Sequence, residues 1–217
     1  MNSEAPAPLR SLPIIDLGGP MYPEVILQLP EWVAGEVVSP ERCFPTLEER
    51  MAWVIRLAER NVREQTGGPF GAAVFEIETG RLIAPGVNIV VPAHCSLAHA
   101  EAVAIMVAQQ VCQTFDLSAD FLPPLELVAS AQPCIQCYGN VWWSGLRRLV
   151  VGATKADVER LTRFREGPVP ENWVETLEHR PPLPPIHVIQ GVLREEACAV
   201  LQAYTASGGL IYNPDVR

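Results

Sequence analysis

Residues 125–153 read LELVASAQPCIQCYGNVWWSGLRRLVVGA. Leu125 to Ala129 is a short apolar strand, Cys134 to Ser144 a compact helix, and Leu149 to Ala153 a second apolar strand bounded by Arg148 and Thr154. A strand, a helix and a strand within so short a span imply parallel neighbours in one sheet. Both cysteines of the segment fall at the start of its helix. Cys134 and Cys137 lie one turn apart, so both sulfurs face one point. The amides of a helix N-terminus favour thiolates, and Pro133 suits the first helical turn.

Upstream, Ala72 to Ile77 and Arg81 to Val91 read as two strands joined by a turn at Glu78-Thr79-Gly80. Ahead of them, Thr46 and Glu49 form a capping-box pattern. Leu47, Met51, Val54, Ile55, Leu57 and Ala58 follow at helical spacing, which predicts a helix over 46–65. Gly67, Gly68 and Pro69 stop it, with glycine suited to a left-handed cap. His94 to Gln110 reads as a buried helix on Ala98, Ala102, Val103, Ile105, Met106 and Val107. Downstream come a helical turn at 157–161, a proline-interrupted loop at 164–173, a last strand at 186–189 and a terminal helix at 194–206. A hairpin leading into βαβαβ predicts an α/β protein, a three-layer α/β/α sandwich around a mixed five-stranded sheet. Residues 1–45 hold many of the 21 prolines and read as an extended N-terminal arm with little regular structure. Ile14, Ile15, Ile26, Leu27, Leu29, Trp32 and Val33 nevertheless make it too apolar for a free tail. Residues 46–217 form the predicted domain.

The formal charge of −9 argues against a partner as polyanionic as nucleic acid. The N-terminus is broken by prolines and an acid before a secretory apolar stretch can form, and nothing later reaches the roughly 18 apolar residues of a membrane span. A cytoplasmic location is expected, and the six irregularly spaced cysteines then suggest metal or redox chemistry rather than a disulfide framework.

A catalytic zinc needs three protein ligands and one position left for water, and imidazole and thiolate suit the ion. His99, Cys134 and Cys137 supply that set, which predicts one zinc per chain. Glu101, two residues after His99, stands where a carboxylate would exchange protons with water rather than bind the metal. His-x-Glu followed by Pro-Cys-x-x-Cys is the signature of zinc-dependent deaminases, and the chain has His99-Ala100-Glu101 and then Pro133-Cys134-Ile135-Gln136-Cys137. A lone Cys-x-x-Cys equally suits a redox pair, and a structural zinc would want a fourth protein ligand and no acid/base group. His94 and Cys95 have no partner at fixed spacing. His179, His187 and Cys43 read as surface or packing residues, Cys112 and Cys198 as small core hydrophobes.

With these motifs, residues 46–213 resemble the cytidine deaminase-like superfamily, and within it the guanine deaminases. The further matches are Gly67-Gly68-Pro69-Phe70-Gly71-Ala72, Gly86-Val87-Asn88, Trp143, Phe164-Arg165-Glu166-Gly167-Pro168 and Gly209-Leu210-Ile211-Tyr212-Asn213. The resemblance implies that Asn88 hydrogen-bonds a base, and that Phe70, Ala100, Trp143, Phe164 and Tyr212 contribute to the substrate site. It implies that Glu166 assists the leaving ammonia while Glu101 serves the water. It also implies a homodimer, possibly with exchange of the C-terminal segment that carries Tyr212. The chain departs from the family at Gln132, where glutamate is common, and at Gln136, where methionine is frequent.

The expected substrate is a small nucleobase, guanine first, giving xanthine and ammonia. An aminotriazine such as ammeline, cytosine or a nucleoside stays open, since one pocket change alters preference by a few kcal/mol. A tRNA adenosine deaminase would usually carry a basic terminal helix, whereas here Glu195 and Glu196 stand against Arg194. A non-catalytic zinc module is the alternative from another class.

Overall fold

The structure is a computed structural model that describes residues 25–37 and 43–213. The expectation for Ile14 and Ile15 falls outside the described residues. The arm holds more regular structure than its prolines suggest: α1 spans Glu31–Glu36, directly after Pro30, with Val33 buried. α2 spans Leu47–Arg63 and begins with the predicted capping box, Thr46 and Glu49 each bonding the other's backbone. Its apolar face, including Met51, Val54, Leu57 and Ala58, is buried. The left-handed residue after it is Gln65, not a glycine. Gly67 answers a different need, because a Cβ there would lie 1.8 Å from the Asn88 carbonyl oxygen.

β1 (Gly71–Glu76) and β2 (Leu82–Val87) form the antiparallel hairpin. α3 spans Ala100–Cys112, starting six residues later than its apolar pattern suggests. Residues 94–99 form a loop instead, in which His94 has φ of 48° and Ile89 N–H bonds the Ala98 carbonyl. β3 (Leu125–Ala131), α4 (Ile135–Trp143) and β4 (Arg148–Ala153) realise the strand-helix-strand unit, with β3 and β4 parallel. Cys134 is the N-cap of α4, so Pro133 sits before the helix rather than in its first turn. α5 (Lys155–Leu161) follows, then a short helix absent from the sequence reading, α6 (Trp173–Glu178), then β5 (His187–Gln190) and α7 (Arg194–Ala206).

The sheet order is β2-β1-β3-β4-β5, with β1 antiparallel to both its neighbours and β3, β4 and β5 parallel. Helices α2, α5 and α7 pack on one face, around Met51, Val54, Val158 and Leu201, while α3, α4 and α6 cover the other, around Ile105, Val141 and Leu177. The fold is the three-layer α/β/α sandwich. In the middle of the sheet, fully buried Glu126 on β3 is paired with Arg50 of α2 and Arg148 of β4. Strand direction then dictates where chemistry can assemble. β1 starts, and β2, β3 and β4 end, at one edge of the sheet, so Phe70, Asn88, the Gln132–Cys134 turn and the segment after α5 converge there. That edge lies beyond the carboxyl ends of the parallel strands, the usual ligand position in α/β sheets.

Candidate active site

Two helix starts meet at this edge. His99 caps α3 and Cys134 caps α4, each in extended backbone, with Cys137 in the first turn of α4. His99 Nδ1 lies 3.5 Å from Cys134 Sγ and 3.5 Å from Cys137 Sγ, and the three atoms lie within 4.8 Å of one another. Zinc–sulfur and zinc–nitrogen bonds of the usual lengths, set at a tetrahedral angle, separate S from N by about 3.6 Å. The observed separations fit that edge, and the donors are the borderline-soft set that zinc prefers. Among the described residues no fourth protein ligand joins them, which is the ligand count of a catalytic rather than a structural zinc site.

Hydrogen bonding and burial set the two thiols apart. The hydrogen bond from Cys137, with help from His99, pulls Cys134 down to about 4. Cys137 is pushed well above the usual thiol range by that shared bond and by burial. Burial opposes a charged His99 ring, but the hydrogen bond to Cys134 and the charges of Glu101 and Cys134 carry its pKa upward.

His99 and Cys134 lie on the wall of a cavity of about 360 Å³, with Cys137 fully buried beside them; the wall is lined also by Phe70, Asn88, Glu101, Phe164, Glu166 and Tyr212. This volume is at the small end of ligand sites. Two carboxyls face it. Glu101, in the first turn of α3, is raised to about 7 by burial and then by Cys134. Glu166 is raised to about 8, first by burial and then by Cys134 and Glu101. Its loop is held in place because Ile135 N–H bonds the Glu166 carbonyl at 2.9 Å, and Asn213 exchanges two hydrogen bonds with the backbone of Arg165. A buried carboxyl that keeps its proton near neutral pH can both accept and return one during a reaction.

Aromatic rings build the opposite wall. Phe164 lies 5.4 Å from Phe70 and 4.7 Å from Tyr212, centroid to centroid. The Tyr212 hydroxyl is buried without a hydrogen-bond partner among the described residues, and it belongs to the same chain as the rest of the wall.

Two of the expected substrate residues lie elsewhere. Trp143 is 78 % exposed and lines a separate surface groove with Gln136 and Asn140. Seven residues beyond Gln136, it follows the outward side of α4 two turns away from the ligands. Ala100 is fully buried with its side chain in the cluster that joins α3 to the sheet, and it is not on the cavity wall. The sequence reading did not bring Ser96, Val90 or Asn213 to the site; loops carry all three, and no periodic pattern marks them. Gln132, noted only as a departure, is on the wall, with its Oε1 accepting from Lys155 N–H at 3.0 Å. His179 and His187 are exposed, as expected, while Cys112 and Cys198 are half-buried against the two cores.

A three-ligand metal cluster with a buried acid beside it, on an α/β/α sandwich, defines a zinc-dependent deaminase site. The chain belongs to the family described as the cytidine and deoxycytidylate deaminase zinc-binding region, which matches residues 45–153. Within that class it is similar to a guanine deaminase from Nitrosomonas europaea, at 47% identity over 87% of this chain and 100% of that one, with a TM-score of 0.80. It is also similar to NE0047 solved in complex with 2,6-diaminopurine, at 48% identity over 88% of this chain and 97% of that one, with a TM-score of 0.80. The guanine deaminase of Bacillus subtilis (strain 168) is 34% identical over 103 residues; the match spans 48% of this chain and 62% of that relative's length.

Proposed function

We propose that this protein is a zinc-dependent guanine deaminase that converts guanine and water to xanthine and ammonia. The observation that carries the reading is the convergence of the His99/Cys134/Cys137 cluster and two buried carboxyls on one base-sized cavity. The guanine deaminase relatives, and the diaminopurine bound by one of them, support guanine over other rings. When bound, zinc supplies the Lewis acidity that makes water nucleophilic near neutral pH. Glu101 takes a proton from the attacking water as the new C–O bond forms at the carbon bearing the amino group, and passes it to the ring. Glu166 protonates the amino nitrogen, ammonia leaves as the C–N bond breaks, and the proton that the new hydroxyl gives up in becoming the carbonyl restores the Glu166 carboxyl. Asn88 holds the base edge, and Phe70, Phe164 and Tyr212 enclose the ring. The deaminase domain is residues 46–217, preceded by the arm 1–45.

The test is ammonia release by the zinc-loaded protein from guanine, aminotriazines, cytosine, adenine and their nucleosides. Guanine is expected to give the highest kcat/KM. A higher value for any other ring replaces the substrate, and silence on all of them removes the reading.

The same proposal includes a homodimer. Val25, Leu27, Leu97, Met106 and Trp143 line one apolar groove, with Leu97 62 % and Trp143 78 % exposed, a surface that a second copy would cover. Sedimentation at micromolar concentration is expected to give twice the chain mass, and a monomer mass refutes it. Tyr212 already lines its own chain's cavity, so exchange of the C-terminal segment is not required to complete the site. A cytoplasmic location fits thiol ligands that must stay reduced. Localisation of a tagged chain tests it.

A further inference from the structure

We infer that the arm takes part in base recognition: Trp32 positions Asn88 through a hydrogen-bond relay over Thr66 and Asn61. The inference rests on the reading of Asn88 as the residue that holds the base. Each link of the relay is direct. Trp32 Nε1–H donates to Thr66 Oγ1 at 3.0 Å, and the Thr66 hydroxyl donates to Asn61 Oδ1 at 2.7 Å. Asn61, fully buried on α2, then spends both amide hydrogens on carbonyls at the cavity edge, Gly68 O at 2.9 Å and Asn88 O at 2.8 Å.

Donor and acceptor chemistry gives the relay a single sense. An indole N–H can only donate, so the Thr66 hydroxyl accepts from Trp32 and donates its own proton to Asn61. The carbonyl end of the Asn61 amide is thereby fixed toward Thr66 and its NH2 toward the two backbone carbonyls. Asn88 is held from its other side as well, by its own N–H on the Phe70 carbonyl at 3.1 Å. Its Oδ1 accepts from Val90 N–H at 3.3 Å, and its side chain faces the Tyr212 hydroxyl in the cavity that both residues line. There is no slack in this region: a Cβ on Gly67 would meet Asn88 O at 1.8 Å and Asn61 Nδ2 at 2.7 Å.

The arm is fastened where the relay begins. The Arg60 guanidinium lies 4.9 Å above the Trp32 ring, and Arg60 Nη1 pairs with Glu36 at 2.6 Å. Trp32, Thr66 and Asn61 touch neither the metal ligands nor the two carboxyls, so their effect is expected on binding and not on the chemical steps.

The test uses the zinc-loaded full chain and reads KM and kcat for guanine together with the thermal midpoint. Kd for 8-azaguanine serves wherever turnover is too slow to give KM. Thr66→Val removes one hydroxyl at constant shape and is expected to raise KM about fivefold with kcat nearly unchanged, the worth of one hydrogen bond. Thr66→Ser keeps the hydroxyl and is expected to restore KM. Trp32→Phe keeps a ring under Arg60 but loses the donor, and serves if Thr66→Val does not fold; a rise in KM of about threefold is expected. In an Asn88→Ala background the effects on KM should shrink, because the side chain that the relay positions against the base is gone while the Asn61 bonds to the Gly68 and Asn88 carbonyls remain. A lower thermal midpoint with KM unchanged in both single variants, or an equal rise in KM with and without Asn88, overturns the relay. If Asn88→Ala alone leaves KM and Kd unchanged, the reading of Asn88 fails and the relay falls with it. If Asn88→Ala weakens binding but Thr66→Val and Trp32→Phe do not, only the relay fails.

Discussion

On the proposed assignment, replacing Glu101 by glutamine should remove proton transfer and leave almost everything else in place. The side chain is 8 % exposed in the first turn of α3, two residues from His99 and facing the cavity that holds the ligand cluster. Burial and the neighbouring Cys134 raise its carboxyl to about 7, near the working pH, where a group is best able to take and return a proton. One such transfer contributes about 10² to 10⁴ in rate. In the proposed reaction this carboxyl acts twice, once to take a proton from water and once to deliver it to the ring. Glu101→Gln is therefore expected to lower kcat by about 10⁴ or more, about 5.4 kcal/mol of barrier. Glutamine has nearly the same volume, and Glu101 is outside the ligand set, so the variant should keep one zinc per chain and its thermal midpoint. The assay pairs ammonia release from guanine with metal content on the same preparation. A variant that holds its zinc and turns over within tenfold of the parent refutes the assignment of Glu101; one that loses its zinc makes the residue a ligand.

Three further variants test the scaffold. Glu126→Ala strands the buried Arg50 guanidinium without its carboxylate, and is expected to cost about 3–5 kcal/mol in urea unfolding; a loss under 1 kcal/mol would show that the pair is not needed. Gly86→Ala places a Cβ 2.2 Å from the Ala100 carbonyl oxygen, so α3 must shift at its start; lower stability is expected together with weaker zinc retention, since His99 caps that helix. Unchanged zinc affinity would separate the two. Hydrogen bonds from Arg194, then Thr154 and Arg160, hold the Asp157 carboxyl well below the usual range. Its stabilisation is thus present above the unfolded pKa of about 3.9 and fades as pH falls through lower values. Asp157→Asn should cost about 1–2 kcal/mol at pH 7, discounted for the half-exposed Arg194. That difference should shrink between about pH 4 and pH 2; a difference independent of pH would remove the charge from the account.

Local pattern carried the regular elements and lost the places where tertiary contacts take over. α7 runs over Arg194–Ala206 as its apolar spacing predicts, and α2 begins at its capping box. The apolar pattern overextends α3 because Ala93, Cys95 and Ala98 continue it backwards, although the loop they form is folded by the amides of residues 93–95 on the carbonyls of 89–91 and by Ile89 N–H on the Ala98 carbonyl. α6 was hidden by its composition: prolines precede it, and its first turn is set by Trp173 N–H on the Pro170 carbonyl, a contact that periodicity does not encode. In the site, residue type and spacing are enough to bring His99, Cys134, Cys137 and Glu101 to one edge of the sheet, because both motifs sit on helix starts. Trp143 lies off this cavity because its phase on α4 turns it outward, which its residue type alone does not reveal.

The cluster also says why a dication is wanted there. Two thiols and two carboxyls share one small buried space, and full ionisation of all four would gather four negative charges where water is scarce. Without a cation the groups keep protons: Cys137 is far above the usual thiol range, and Glu101 and Glu166 are raised to about 7 and about 8. Zinc binds cysteine as thiolate, so at pH 7 its arrival must displace the Cys137 proton, and its charge favours ionised carboxylates nearby. At least one proton per zinc should therefore leave the protein. Titration calorimetry of zinc into the metal-free chain, repeated in buffers of different ionisation enthalpy, measures that number directly. A binding enthalpy that does not change with the buffer would mean that no net proton leaves, and that the Cys137 thiol is not held above its usual range.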